Sequence, residues 1–433
     1  MTAPAYSHVA SPPALIIWTQ NAAIGAVCAN LFSTALANLG LAVFLILFVW
    51  VCASDHRRQL NTGQFPVGFA WALGAYYLWQ FVGLTYTHAS VSYGLETIYA
   101  DRKLLFILPL VLVFTDERSK KRFLAVFLAF LVAGLITSFA LKDPFIQEGL
   151  RWYPAKLMRS SAQLANENIF RSHATQSMVF ALGVFLSLWF AFQKQALVRR
   201  WIFSGLALGF MVNLATITPG RSGYLVFLVL VIWCFTLWRG VKGIVLGALA
   251  ALLIGLSAFT FSSSVHDRIM KGMAETQDFL TVPEETSLGR RMVMYQTTFD
   301  MIRENPVLGL GTGGFKSSFS AMAAEKYTGW RAKPADDPHS QYLFVLAENG
   351  AIGLVSFLLA IGMMLKYCLK GGTTYGKMAA GCVLAWCATS VFSGHFRTFP
   401  EGHLIAFIVG ILMVNRPSGE SDASPGPTGR AIP

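Results

Sequence analysis

Charge is scarce in this chain of 433 residues: Asp, Glu, Lys and Arg make up 13% of it, about half the ~25% usual in soluble domains. With 55% hydrophobic residues and a mean hydropathy of +0.53, that shortage excludes an ordinary soluble domain and points to a membrane-embedded protein. Cysteine is sparse too. Cys28, Cys52, Cys234, Cys368, Cys382 and Cys387 mostly sit in apolar runs, and none forms a CxxC pair. Neither a disulfide framework nor a zinc site is indicated. The first apolar stretch has no basic region before it, which argues against a cleaved signal peptide. Runs such as LAVFLILFVWV and FLVLVIWCFTLW have no period-two alternation, which excludes a membrane barrel. There is no internal repeat.

What is present is a series of apolar runs. A helix needs about 20 apolar residues to cross ~30 Å of hydrocarbon. Runs of that kind lie near 14–33, 35–53, 65–85, 91–114, 123–141, 173–192, 201–217, 222–238, 243–261, 343–366, 378–393 and 402–415. The expected fold is therefore an all-α integral membrane protein of about twelve transmembrane helices, with a long loop between the ninth and tenth.

Orientation follows from the positive-inside rule. With the N-terminus inside, the short inner connections carry Arg57, Arg58, Arg118, Lys120, Lys121, Arg122, Lys194, Arg199, Arg200, Arg239, Lys242, Lys366, Lys370, Lys377 and Arg416, against three acids, Asp55, Asp116 and Glu117. The segment 262–340 holds nine basic and ten acidic residues, so it casts no vote. Both termini are expected in the cytoplasm and the long loop in the periplasm of a bacterial inner membrane. The domain reading is 1–261 for the first nine spans, with a smaller outer segment at 142–172. Residues 262–341 form the large outer loop, with helices near 264–280 and 288–304. Residues 342–416 hold three further spans, and 417–433 is a linker-like tail of disordered composition.

The polar, glycine-rich stretch from Met301 to Gly353 stands out against this background. Asp337 is a good N-cap and Pro338 fits a first helical position, which predicts His339 in the first turn of HSQYLFVLAEN. The positive helix end favours a neutral imidazole able to accept a proton; the plainer alternative is a structural histidine. Asp336 and Asp337 with one histidine make an incomplete ligand set, so no metal is expected. GLGTGGF holds a literal GxGxxG at Gly309, Gly311 and Gly314, but no βαβ context surrounds it. It reads as a tight, close-packing turn that shapes a cleft.

Arginines supply the other candidates. Arg221 in TITPGRSGY starts a helix after the Pro219–Gly220 break, where an anion would be favoured and a guanidinium offers a bidentate fork. The alternative is an interfacial arginine reaching lipid headgroups. Arg290 and Arg291 lie in an amphipathic helix with Met292, Tyr295, Phe299 and Ile302 at helical spacing. Neighbouring residues point ~100° apart, so only one of the pair can easily face a site. Arg171 and His173 sit at the mouth of another span. His395, Arg397, Glu401 and His403 in SGHFRTFPEGH form a third outer cluster.

Taken in order, TPGRSG, the RRM helix, ENPVLGLGTGGF and PHSQYLFVLAENGAIGLVSFL after a long loop resemble the bacterial O-antigen ligases, with the related O-antigen polymerases and protein O-oligosaccharyltransferases. The resemblance covers about 200–370, and the first third is similar only in hydropathy. Ser340 stands where the family motif commonly has Asn. The resemblance implies a GT-C-type glycosyltransferase moving a glycan from undecaprenyl diphosphate to lipid A–core at the periplasmic face. It implies His339 as general base, Arg221 and Arg291 as diphosphate binders with Arg290 beside them, and neither metal nor cofactor. Polymerase and protein-glycosylating activities share this donor. A transporter is the rival from another class, but transporters place polar groups near mid-membrane on broken helices, and here they gather outside. The partners expected are the lipid-linked donor, the lipid A–core acceptor and membrane lipids, and no nucleic acid.

Overall fold

The computed structural model describes residues 14–60, 62–141, 169–193, 196–218, 220–277 and 285–413. Most of the expected outer segment 142–172, Pro219 of the hinge and the tail 417–433 lie outside the described residues. The elements begin with α1 (Ala14–Asn30), α2 (Thr34–Ala53), α3 (Val67–Gly83), α4 (Val91–Asp101), α5 (Ile107–Val113) and α6 (Glu117–Ala140). They continue with α7 (His173–Phe192), α8 (Leu197–Thr216), α9 (Arg221–Arg239), α10 (Val241–Phe261) and α11 (Ser263–Gln277). The last are α12 (Ser287–Glu304), α13 (Phe315–Lys326), α14 (Gln341–Leu369), α15 (Thr374–Thr389) and α16 (Phe399–Leu412). No strand occurs among the described residues.

Among the described residues, seven helices (α2, α6, α7, α8, α9, α10 and α14) are long and apolar enough to cross a membrane, and α1 and α16 are apolar but shorter. The chain is a multi-pass helical membrane protein. Leu249, Leu252, Leu253 and Leu256 of α10 are exposed, which only a lipid environment makes reasonable. The helix grips its neighbour through small residues: a Cβ at Gly247 would sit 2.7 Å from the Ile232 Cα of α9. Close backbone approach of this kind is how helices associate where no hydrophobic force acts between them. α7 is the centre of the bundle, with Phe180 and Phe185 fully buried and Phe180 against Phe210 of α8 at 5.4 Å between centroids.

Side-chain caps start the helices. Asp116 accepts the Ser119 N–H at 2.8 Å to open α6, and Ser172 accepts the Thr175 N–H at 3.1 Å to open α7, each satisfying an otherwise orphaned donor.

The run 91–114 is not the single span that its hydropathy suggests. It breaks into α4, a 3-10 turn over Arg102–Phe106, and the short α5. Asp101 is the reason. Its Oδ2 accepts from the Tyr76 hydroxyl at 2.9 Å and the Gln80 amide at 2.8 Å, and its carbonyl accepts from the Tyr77 hydroxyl at 2.6 Å. These bonds from α3 fix the end of α4.

α14 also breaks, at Gly350 (φ 64°, ψ −170°). The carbonyls freed by the break accept from the glycine loop: Leu310 N–H to Ala347 and Gly311 N–H to Glu348, both at 2.9 Å. In return, the Ala351 N–H donates to Pro306 at 2.9 Å and the Ile352 N–H to Val307 at 3.4 Å. Loop and break stitch each other. Gly309, Gly311 and Gly313 all have positive φ (75°, 83° and 85°). A Cβ on Gly309 would come 2.5 Å from the Glu348 oxygen, and one on Gly311 2.7 Å from that of Gly83. The glycine motif is thus a packing device, as its context indicates.

Candidate functional site

The polar side chains gather at one end of the bundle, where α7, α9, α14 and α16 begin and α12 packs against α14. The entry to α14 differs from the sequence expectation. Its N-cap is Ser340 (φ −146°), whose hydroxyl accepts the Leu343 N–H at 3.4 Å, and the helix begins at Gln341. Asp337 is not the cap. Its Oδ1 accepts the N–H of His339 at 2.6 Å, an Asx turn that ends before the helix starts. Pro338 is therefore not a first helical residue, and His339 stands just outside the helix instead of in its first turn.

His339 has φ 55°, the one positive value at a non-glycine position among the described residues. An L-residue held there costs of order 1–2 kcal/mol, and such outliers concentrate at functional positions. The Asp337 carboxylate also lies 3.4 Å from His339 Nδ1, with the imidazole side chain 46% exposed. One carboxylate thus holds both the backbone bend and one edge of the ring.

The two neighbouring arginines of α12 part company. Arg290 is tied down: Nη1 is 3.3 Å from Glu285 Oε1, and Nη2 donates to the Pro334 carbonyl at 2.9 Å. Lys333 also pairs with Glu285. Arg290 therefore braces the stretch leading to His339. Arg291 turns the other way, close enough to His395 and Tyr295 to act on both electrostatically. Burial pushes the Tyr295 phenol up, against the opposing pull of Arg291. For His395, burial pushes the imidazole pKa below its ordinary value; Glu401 opposes this and Arg291 adds to it.

Arg221 opens α9 as expected, after Gly220. Its guanidinium lies against Gly272 of α11, where a Cβ would be 3.3 Å from Nη2. Gly220 in turn packs on α7, where a Cβ would be 3.3 Å from the His173 carbonyl oxygen. From α7 the Thr175 hydroxyl donates to Glu401 Oε1 at 2.6 Å, and Glu401 faces His395. The structure thus joins Arg221, His173, Glu401, His395 and Arg291 as successive neighbours across one surface. It does not place Arg221 in contact with His339.

Arg171 holds architecture together. It donates to the Asn30 carbonyl at 2.9 Å and to the Thr34 hydroxyl at 2.6 Å, and covers the Phe399 ring. Arg397 is equally committed: its guanidinium stacks 3.6 Å from the Phe344 ring centroid, with Nε 3.5 Å from Asp101. Asp101 and the buried Glu348, which accepts the Phe315 N–H at 3.3 Å, escape a reading of the sequence because both lie inside apolar runs. Gln341 and Ser390 escape it too. The Gln341 N–H donates to the Ser390 carbonyl at 2.9 Å, which pins the start of α14 to the end of α15.

Two hollows accompany this site without forming it. One is a small crevice lined by apolar residues such as Phe123, Leu182, Phe185 and Met378. The other is a shallow dip bordered by Arg290, Trp330 and Lys333, whose cations Glu285 already offsets.

An uncharacterized protein of Haemophilus influenzae is 24% identical over 288 residues, covering 65% of this chain and 68% of that protein. Residues 206–358 match the family model described as O-Antigen ligase. That segment runs from within α8 through Arg221, Arg291, the glycine loop and His339 into α14. Over that segment, the chain is similar to the O-antigen ligase family.

Proposed function

We propose that this protein transfers an O-antigen glycan from undecaprenyl diphosphate to a sugar hydroxyl of lipid A–core, at the periplasmic face of the bacterial inner membrane. The observation that carries the reading is His339. It is strained, half-exposed and braced by Asp337, inside the segment that matches the family and at the end of the stretch that Arg290 of α12 holds through Pro334.

In the proposed step the acceptor hydroxyl oxygen attacks the anomeric carbon. His339 Nε2 takes its proton, and the bond from that carbon to the diphosphate oxygen breaks with inversion. The electron pair leaves on the diphosphate. With Asp337 beside Nδ1, Nε2 is the nitrogen directed outward as base, a contribution of ~10²–10⁴-fold. Arg291 and Arg221 stabilise the charge developing on the leaving group, and Arg290 supports them by holding α12 in place. No metal is needed in this division of labour.

The test is purified protein in lipid nanodiscs, given lipid-linked glycan and lipid A–core. Glycan attached to core, insensitive to chelator, supports the reading. Elongated lipid-linked glycan instead would make the protein a polymerase, and modification of an added protein acceptor would make it an oligosaccharyltransferase. Inhibition by chelator that one metal reverses contradicts the metal-free step.

A further inference from the structure

Buried polar groups normally find hydrogen-bond partners, and each exception calls for a reason. At the entry to α14 three exceptions lie together. Gln341 is 1% exposed and neither amide atom has a partner among the described residues. His395 is 3% exposed with both ring nitrogens unpaired, and the Ser390 hydroxyl is buried and unpaired. They are neighbours. The Gln341 backbone bonds to Ser390, and its side-chain oxygen lies 3.7 Å from where a Cβ on Gly394, the residue before His395, would be. Such groups, left unsatisfied, are costly to bury. A fold needing only a scaffold here would use apolar side chains.

From this arrangement we infer that Gln341, Ser390 and His395 form a sugar-binding subsite, two residues from His339, that takes hydroxyl groups of the glycan. The chemistry selects the ligand class. An amide, a hydroxyl and an imidazole each donate and accept, the pattern that a hydroxyl, itself donor and acceptor, satisfies. Phosphate offers acceptors alone, and Glu401 facing His395 would repel it. Diphosphate therefore belongs to Arg291 on the flank, and the sugar beside it. The three groups border the turn 391–394, in which Val391 and Phe392 are exposed and Ser393 and Gly394 half-buried, and a shift of that turn would admit a sugar. The glycosyl-transfer reading supplies the identity of the sugar, which belongs to either the donor or the acceptor.

The experiment uses the full chain in nanodiscs, wild type beside Gln341→Met, Ser390→Ala and His395→Gln. Binding is measured without turnover, using delipidated core oligosaccharide, the O-antigen repeat released from its carrier, and bare undecaprenyl diphosphate. Thermal unfolding is followed in parallel. Gln341→Met and Ser390→Ala should weaken one of the two glycans about tenfold, the loss of roughly one hydrogen bond. Bare lipid diphosphate should bind unchanged, and unfolding temperature should hold or rise, because a group without a partner is removed. His395→Gln, which keeps a neutral donor and acceptor, should lose less. The glycan affected tells donor from acceptor, and its KM in transfer should rise by the same factor. Wild-type glycan affinity in all three variants overturns the inference. So does a fall in stability or loss of the fold in Gln341→Met, weaker binding of the bare lipid, or a wild type that binds neither glycan. A protein that binds glycan through these residues yet transfers nothing keeps the subsite and removes the reaction. Normal transfer with indifferent variants does the reverse.

Discussion

α14 departs from regular helix at two places, its entry and its break at Gly350, and the two are built on opposite terms. At Gly350 four freed backbone groups bond to the 306–311 loop at 2.9 to 3.4 Å, the Asn349 carbonyl accepts from the Trp79 indole at 2.8 Å, and the positive φ falls on glycine. At its entry the backbone is also satisfied, but the positive φ falls on a histidine and three buried side chains lack partners. The first break is complete in itself, as architecture must be. The second keeps strain and unused hydrogen-bonding capacity, the mark of a place shaped for something else. Local rules fail where function overrides them.

The largest effect should come from disturbing the satisfied break. Gly350→Ala puts a Cβ 2.1 Å from the Val307 oxygen at φ 64°. A loss of more than about 4 kcal/mol is expected, seen as failure to recover monodisperse protein. Gly309→Ala should behave alike. If either variant folds normally, the stitching described here is not what holds α14.

The entry should respond the other way. His339→Gly removes a left-handed L-residue and should raise stability by about 1 kcal/mol, read as a higher unfolding temperature, while transfer falls ~10²–10⁴-fold. A less stable glycine variant would mean that the imidazole supports the fold.

The arginine pair sharpens the same contrast within one helix. Arg290→Ala should lower stability by about 1 kcal/mol, with transfer per folded molecule largely kept. Arg291→Ala should leave unfolding nearly unchanged and reduce transfer together with lipid-diphosphate affinity. Exchange of these phenotypes would reverse their assignment.

The sequence disclosed the apolar helices because twenty-residue runs leave little choice in a bilayer. It disclosed the glycine turn because the spacing lacked a nucleotide-binding context. It misplaced the start of α14 because Asp337 and Ser340 are both good caps, and the proline favoured the earlier one. Only tertiary contact decides: Ser390 takes the Gln341 N–H, so the helix starts there and Asp337 turns to His339. Asp101 was invisible for a related reason. Its partner Arg397 is almost three hundred residues away, and in sequence it is one carboxylate in an apolar run. That Arg290 braces while Arg291 faces His395 follows from Glu285 and Pro334, whose positions no spacing rule supplies.

The smallest effect concerns pH. Burial lowers the pKa of folded His395 below its ordinary 6.5, so the unfolded chain binds more protons just below that pH. The stability linked to His395 is therefore present above 6.5 and is lost as pH falls towards the folded value. His395→Gln should flatten the dependence of unfolding temperature on pH below 6.5, and an unchanged slope would remove His395 as its source.

The most direct test of the central claim is one paired measurement on His339→Ala in nanodiscs: transfer of lipid-linked glycan to lipid A–core, and affinity for undecaprenyl diphosphate in the same preparation. The account predicts transfer reduced at least a hundredfold with lipid affinity within about twofold of wild type. Transfer at the wild-type rate, or loss of lipid affinity in step with transfer, would contradict it.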